Sequence, residues 1–498
     1  MIGRTVISNA LKRCGMKPLL ISISALISLT GCTVGPDYVK PTAETPPSYK
    51  ESEGAGWKVA QPKDDIKRGA WWEIFGDSSL NSLEEQVRIS NQNIAAAEAQ
   101  YRQARALVQG ARSAYFPTAA ADASFTRSRR GLSGNSTGSS ASGAAAKTSS
   151  TVSDFLLSGN ASWEPDIWGK VRRSVEASEA NAQASAADLE SLTLSVQSEL
   201  AQDYFQLQTL DAQKQLFDAT VQAYQKFLDM TKNRYTSGVA SKADVLQAET
   251  QLRTAQAQSI DIGVQRAQLE HAIALLTGKP ASVFSIPVSP LSAVPPAIPV
   301  GLPSELLERR PDIAAAERRA AAANAQIGVA LAAYYPNITL NASGGLESSH
   351  LAKWLTWPNR VWSVGTNVLE TVFDGGLRAS LTEQARAAYD ANVASYRQTV
   401  LTGFQEVEDN LAALRILEEE AVAQDAAVKA ARQSVTFSTN QYKAGIISYL
   451  DVVTVQTIAL NNERTYIDIA GRRMAASVLL IRALGGGWET HSAQKDKP

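Results

Sequence analysis

The stretch RYTSGVASKADVL, residues 234–246, returns as QYKAGIISYLDVV, residues 441–453, and the chain reads as two copies of one unit arranged around this pair. Each copy is a helix stop followed at once by a helix start. Gly238 and Gly445 stand where a helix that ends in the left-handed region needs a residue without a Cβ. Ser241 with Asp244, and Ser448 with Asp451, then spell S-x-x-D, in which the hydroxyl takes one orphan backbone N–H and the carboxylate reaches back to another. The pattern predicts two tight helical hairpins.

The repeat continues outside this stretch. NIAAAEAQ…SAYFP, residues 93–117, aligns without gaps on DIAAAERR…AAYYP, residues 312–336, at a shift of about 219 residues, against about 207 for the hairpins. So long a period marks a duplicated domain, and two copies are too few for a solenoid. In both copies positions four and three apart form a seam: Ile94, Glu98, Tyr101, Arg105, Val108, Arg112 and Tyr115, and then Ile313, Glu317, Ala320, Asn324, Ile327, Leu331 and Tyr334. These seams are too wet for the centre of a solid bundle and suit helices that also face water on a second side.

Each copy breaks at a proline, Pro117 and Pro336. After it come two segments of alternating or β-rich character, long enough to span a membrane as tilted strands: 119–128 and 155–163, then 338–345 and 361–369. The sets Phe155, Leu157, Gly159, Ala161, Trp163 and Trp362, Val364, Thr366, Val368 each offer one face to lipid. The loop 131–153 is a Ser/Gly/Ala tract that cannot pack a core, and the loop 347–360 carries Trp354 and Trp357. Four strands cannot close a barrel when the smallest transmembrane ones need about eight. An open edge in lipid strands backbone groups at several kcal/mol each, so a barrel here is shared between chains.

Residues 168–235 and 375–442 contain no proline, and each run of about 68 residues would extend about 100 Å as a helix. Asp374 is a good N-cap for the second. Return helices follow the hairpins over 242–276 and 449–483. A return helix and a first helix, 80–114 in the first copy, together match one long helix at about 52 Å each. Stacked end to end beside it they complete a strip of wall, and strips side by side make a tall cylinder continuing the barrel. The fold class is therefore a long helical coiled-coil barrel continuous with a transmembrane β-barrel shared between protomers.

The N-terminus reads as an address. Arg4, Lys12, Arg13 and Lys17 precede an apolar run over 19–29, of signal-peptide size and too short to span a bilayer; the long basic segment leaves Met16 as an alternative start. Leu29-Thr30-Gly31-Cys32 resembles a bacterial lipobox, whose cysteine is acylated and becomes the first mature residue. Cys14 leaves with the signal, so the mature chain has no thiol for a disulfide, a CxxC metal site or a nucleophile. Thr33, in place of Asp, favours outer-membrane sorting. The expected domains are a signal peptide 1–31, a lipidated arm 32–75, repeat one 76–285, a Pro-rich linker 286–311, repeat two 312–487 and a polar tail 488–498. Trp71 and Trp72 read as a packing anchor.

Composition excludes classes. A net charge of −1 over 498 residues argues against a nucleic-acid partner, and after the leader no stretch has the eighteen or so apolar residues of a transmembrane helix. His271, His350 and His491 are scattered, and HExxH, G-x-S-x-G and phosphate-loop motifs are absent, so no enzyme and no metal site is expected.

In order along the chain, LTGCTVGPDYVKP from Leu29, AWWEIFGDSSLNSL from Ala70, LLERRPDIAAAERR from Leu306, FDGGLRA from Phe373 and the two Y-x-x-G-x-x-S-x-x-D-V hairpins resemble the outer-membrane factors of tripartite efflux and secretion systems, the TolC-like and OprM-like ducts. The lipobox and RPDIAAAE segment look most like the lipoprotein branch serving RND-type pumps. The resemblance implies a homotrimer with twelve strands and a helical tunnel in the outer membrane of a Gram-negative bacterium. It also implies a lipid anchor at Cys32, a diacylglycerol with an N-acyl chain, and docking on a periplasmic membrane-fusion adaptor and an inner-membrane RND pump. On its motifs Asp451 and Asp244 fall on acidic gate positions and Tyr442 on an aromatic one, with Tyr235 its counterpart in the first hairpin. Leu450 and Thr454 fall on constriction-ring positions. Thr454 stands where relatives have an acid and Ile447 where one branch has arginine, which weakens a polar latch and gives Leu450 more of the closure. The leading function is passive export of drugs or other small toxic solutes. The alternatives are a duct for type I protein secretion or metal-cation efflux, and a structural envelope lipoprotein without a pore.

Overall fold

Both proline-free runs fold as single helices of equal length. The computed structural model describes residues 33–51, 69–129, 151–291, 294–296, 298 and 309–486. In chain order these form α1 (Ser78–Ser90), α2 (Gln92–Ser113), β1 (Thr118–Arg129), β2 (Thr151–Trp163), α3 (Lys170–Thr236) and α4 (Lys242–Leu276). Then follow α5 (Pro311–Ala332), β3 (Asn337–Ser348), β4 (Arg360–Leu369), α6 (Leu377–Lys443) and α7 (Tyr449–Ala483). The signal peptide 1–31, Cys32, the loop residues 130–150, the tail 488–498, His491 and half of the linker 286–311 lie outside the described residues.

The expected helix 80–114 is two helices. Asn91 is extended, and its Oδ1 accepts from the N–H groups of Asn93 and Ile94 while its own N–H donates to Val87 O. One residue thus caps the end of α1 and the start of α2, and its Nδ2 donates to Leu276 O at the end of α4 at 2.8 Å. The two seams also differ. Ile313, Glu317, Ala320, Asn324 and Ile327 are buried on α5, whereas Glu98 and Arg105 on α2 are exposed. The long helices start two residues later than read, behind left-handed Gly169 and Gly375-Gly376. Asp166 accepts from Val171 and Arg172 N–H at one start, and Asp374 from Gly376 and Arg378 N–H at the other.

The described residues divide into two compact units. One comprises Met1–Val39, Arg105–Asn181 and Ala320–Ala391, and holds the sheet with the helix ends that feed it. Its arm residues are clamped: Arg173, buried, donates to Val34 O and Gly35 O and pairs with Asp37 at 2.8 Å. Gly35 has φ +102°, and a Cβ there would stand 2.5 Å from Gly328 Cα, so this contact requires glycine.

The other unit comprises Lys40–Ala104, Ala182–Arg319 and Asn392–Pro498. Trp71 and Trp72 pack with Leu80 and Val87 of α1 against Leu200 and Phe205 of α3, Ile273 of α4 and Met474 and Val478 of α7, the anchoring role read for them. A second core joins Tyr49 of the arm to Tyr396, Val400 and Phe404 of α6 and to Leu480 of α7. Arg310 of the RPD segment forks onto both Asp312 oxygens at 3.0 and 2.6 Å, and its Nη1 reaches Glu406 at 2.6 Å and Ala483 O at 3.1 Å. The guanidinium is buried, and the two carboxylates raise its pKa against the opposing pull of desolvation. The segment therefore stitches α5, α6 and the end of α7.

Candidate functional site

The sheet has two faces of opposite character. Its four strands are antiparallel in the order β1-β2-β3-β4, so among the described residues β1 and β4 each keep a free edge. The register sets Phe125 across from Phe155, Ala123 from Leu157, Leu157 from Leu346, Trp163 from Leu340 and Ile338 from Val368. Alternation then sends Asp122, Ser158, Asn160, Asn341, Ser343 and Asn367 to the opposite face. Trp362 and Val364 are each 76% exposed, so the described residues do not cover the apolar side. In water such a face and two free edges would be liabilities; in lipid the face is at home and the edges demand a partner.

Aromatic rings mark both ends of the strands. At the helix end, Trp163 donates to Tyr115 O at 3.0 Å, and Trp168 stacks on Tyr335 at 4.8 Å while donating to Pro336 O. At the loop end Phe125 and Phe155 lie 4.6 Å apart and Phe155 meets Trp354 at 5.9 Å. On β2, Phe155 and Trp163 are separated by about 26 Å of strand, about 20 Å of height at the usual tilt of about 40°, close to the apolar band of an outer-membrane barrel. The strands run past the belts, which is why they exceed the spans read from alternation alone.

The hairpin tips close as their sequence dictates. Gly238 and Gly445 have φ +76° and +77°. Val239 N–H donates back to Arg234 O and Ile446 N–H to Gln441 O, both at 2.9 Å, the six-to-one bond of a glycine-ended helix. Both capping boxes are complete. Ser241 N–H donates to Asp244 at 2.9 Å, Ser448 N–H to Asp451 at 3.0 Å, and each serine Oγ accepts from the aspartate N–H.

Beneath the tips lies a core of Tyr224, Leu228, Val245, Tyr442, Tyr449 and Val452 with partly buried Ile447. Tyr442 is only 4% exposed, its ring 5.6 Å from that of Tyr449. Burial, with Tyr224, Tyr442 and Asp244 nearby, raises the Tyr449 pKa well above the ordinary phenol range. Arg234 crosses from the first hairpin to the second: its Nη1 donates to Tyr442 O at 3.0 Å and Lys443 O at 3.2 Å, and its Cζ stands 4.7 Å from the Tyr442 ring centre. A cation thus caps the negative end of α6.

Of the tip residues named from sequence, Leu450, Asp451 and Thr454 share one exposed face of α7, with Leu450 57% exposed. Thr454 Oγ1 donates to Leu450 O at 2.9 Å, which turns its hydroxyl back onto its own helix. Tyr442 is not on that face, and packs in the hairpin core. Tyr235 is exposed beside Lys242, whose Nζ stands 5.7 Å from its ring centre. Arg234 gave no signal in sequence beyond being a basic residue in a last helical turn.

Residues 83–279 and 302–486 match the family described as outer membrane efflux protein. The chain belongs to that family. The probable efflux pump outer membrane protein TtgC of Pseudomonas putida is 30% identical to this efflux protein over 486 residues, 96% of this chain and 97% of its own. The cation efflux system protein CusC of Escherichia coli is 26% identical over 473 residues, 94% and 99% of the two chains. The solved outer-membrane channel OprN superposes with a TM-score of 0.82 at 29% identity, over 92% of this chain and 100% of its own. The efflux protein therefore has the fold of an outer-membrane channel and belongs in the outer membrane. Among its described residues no group of His, Cys, Asp and Glu could hold a metal ion.

Proposed function

We propose that this efflux protein is the outer-membrane duct of a tripartite system, acting as a homotrimer whose three four-stranded sheets close one twelve-stranded barrel above a helical tunnel. An RND pump in the inner membrane and a periplasmic membrane-fusion adaptor deliver the solute, and the duct passes it outward without chemistry. The observation that carries this reading is the sheet: one apolar face, one polar face and two unpaired edges that only neighbouring copies can satisfy in lipid. The cargo is a class of small toxic organic solutes. Relatives named for antibiotic and toluene efflux are 30% identical, against 26% for the cation efflux relative.

The tips are the periplasmic mouth, both adaptor contact and gate. Leu450 is large, apolar and exposed on the first turn of α7, and three copies around an axis form an apolar constriction there. The acylated Cys32 anchors the arm in lipid, and nothing else is covalently attached. Reconstitution in planar bilayers tests the duct: the expected result is a low resting conductance that rises in Leu450→Ala, and a wild-type protein that passes no current under any condition contradicts it.

A further inference from the structure

The pleat sorts the charges of the sheet completely. Arg127 and Arg129 follow Phe125 at two-residue steps and share its face, and Arg360 stands across from Leu346 on that same face. The strands place no carboxylate there. Asp122, Asp154 and Glu347 all alternate to the polar face, which has no arginine or lysine. Hence three guanidiniums point to the side on which Phe125, Leu157, Leu346 and Trp362 meet lipid, near the loop end of the strands. Arg127 and Arg360 have no ion-pair partner among the described residues; Arg360 instead lies over Trp357, with Cζ 5.0 Å from the ring centre.

A guanidinium on a lipid-facing strand is costly at mid-bilayer and tolerated near the interface, where it needs an anion. The helix end of the sheet faces the periplasm, so the loop end lies in the outer leaflet. We propose that Arg127, Arg129 and Arg360 form an outward cationic collar that binds the phosphate groups of the phosphorylated lipid of the outer leaflet, with the aromatic belt against its acyl chains. This rests on the reading of the sheet as a membrane barrel. Guanidinium supplies the forked donors that a phosphate oxygen pair accepts, and the absence of carboxylates on this face of the strands leaves the charges of Arg127 and Arg360 uncompensated among the described residues.

The experiment measures binding to the purified full-length protein in detergent by native mass spectrometry, with bisphosphorylated lipid A as probe. A phosphate-free analogue of the same acylation, phosphatidylcholine and inorganic phosphate are run alongside. The expected result is preferential binding of the phosphorylated lipid. Arg127→Gln with Arg360→Gln weakens it about 25-fold, at about fivefold per guanidinium, and Arg127→Lys with Arg360→Lys retains most of it. Equal binding of the phosphate-free analogue, unchanged binding by the Gln pair, or competition by inorganic phosphate at equal concentration each overturns the proposal. Should the Gln pair lose its strand signal, the wild-type comparison of the two lipids and the Lys pair decide in the same way. Conductance separates the levels: a Gln pair that conducts like wild type yet keeps full lipid binding refutes the collar alone, and the duct stands.

Discussion

At the residue scale, Arg234 shows how a tip is held. It makes two charge-assisted bonds to the last carbonyls of α6 and lies against a tyrosine ring, so it joins hairpins about 207 residues apart in the repeat. Arg234→Ala is expected to lower stability by about 1–3 kcal/mol and to speed amide exchange in both hairpins; Arg234→Lys recovers only part, because it lacks the planar group that lies over the Tyr442 ring. Unchanged exchange in the second hairpin would remove the clasp from the account. A second residue bears on pH. Glu84 is fully buried, with no hydrogen-bond partner for either oxygen among the described residues, and burial pushes its pKa well above the usual carboxylate range. The folded state then holds this proton more tightly than the unfolded state, so its contribution is intact in acid and is lost as pH rises from the unfolded glutamate value through the folded one. Glu84→Gln should raise the melting temperature at pH 7–8 and converge with wild type in acid. A residual slope of the same sign remains from Asp203, held up to about 6 by burial and by Glu199 one turn away. Parallel melting curves across the pH range would rule out the buried acid as their source.

At the element scale, the hairpins separate capping from closure. Asp451→Ala removes one carboxylate of a capping box and should cost about 0.5–2 kcal/mol. Leu450→Ala should leave the melt nearly unchanged, because that side chain is exposed, while raising resting conductance. If the pair of substitutions lowers stability and leaves conductance alone, the residues are a cap and nothing more. Local chemistry made these elements legible: the glycine stops, the S-x-x-D starts, the proline breaks and the two proline-free runs all act within a few residues of themselves, and α4 and α7 begin and end where they were read. What long-range packing decides was not legible. The break at Asn91 is an Asx cap inside an otherwise helical pattern, tied to Leu276 at the far end of another helix. Tyr442 reads as an aromatic at a tip, and only the meeting of four helix ends shows that it faces inward. Likewise RPD looks like an ordinary polar helix start until Glu406 and Ala483 are brought to Arg310. Arg310→Ala should therefore cost about 1–3 kcal/mol by removing a buried guanidinium from two half-buried carboxylates and the Ala483 carbonyl, read as a lowered denaturant midpoint, whereas a surface-like loss under about 0.5 kcal/mol would deny the network that role.

At the scale of the whole molecule, the chain is incomplete alone. Among the described residues one protomer supplies four strands with both edges open, an apolar face left uncovered, and two capped tips, the second carrying the exposed Leu450. In the proposed assembly, copies of the chain would answer all three needs at once, because a shared barrel would pair the edges, turn the apolar face to lipid and the polar face to water, and gather the leucines about an axis. Alternation in β2 and β4 already pointed to this from sequence, but the proposed number of copies, three, is what the family resemblance implies, and nothing in the periodicity sets it. Native mass spectrometry of the protein in detergent, paired with circular dichroism of the same sample, tests this most directly: the account predicts the mass of three chains, with strand signal lost whenever the assembly is split, and a stable monomer that keeps its full strand content would contradict it.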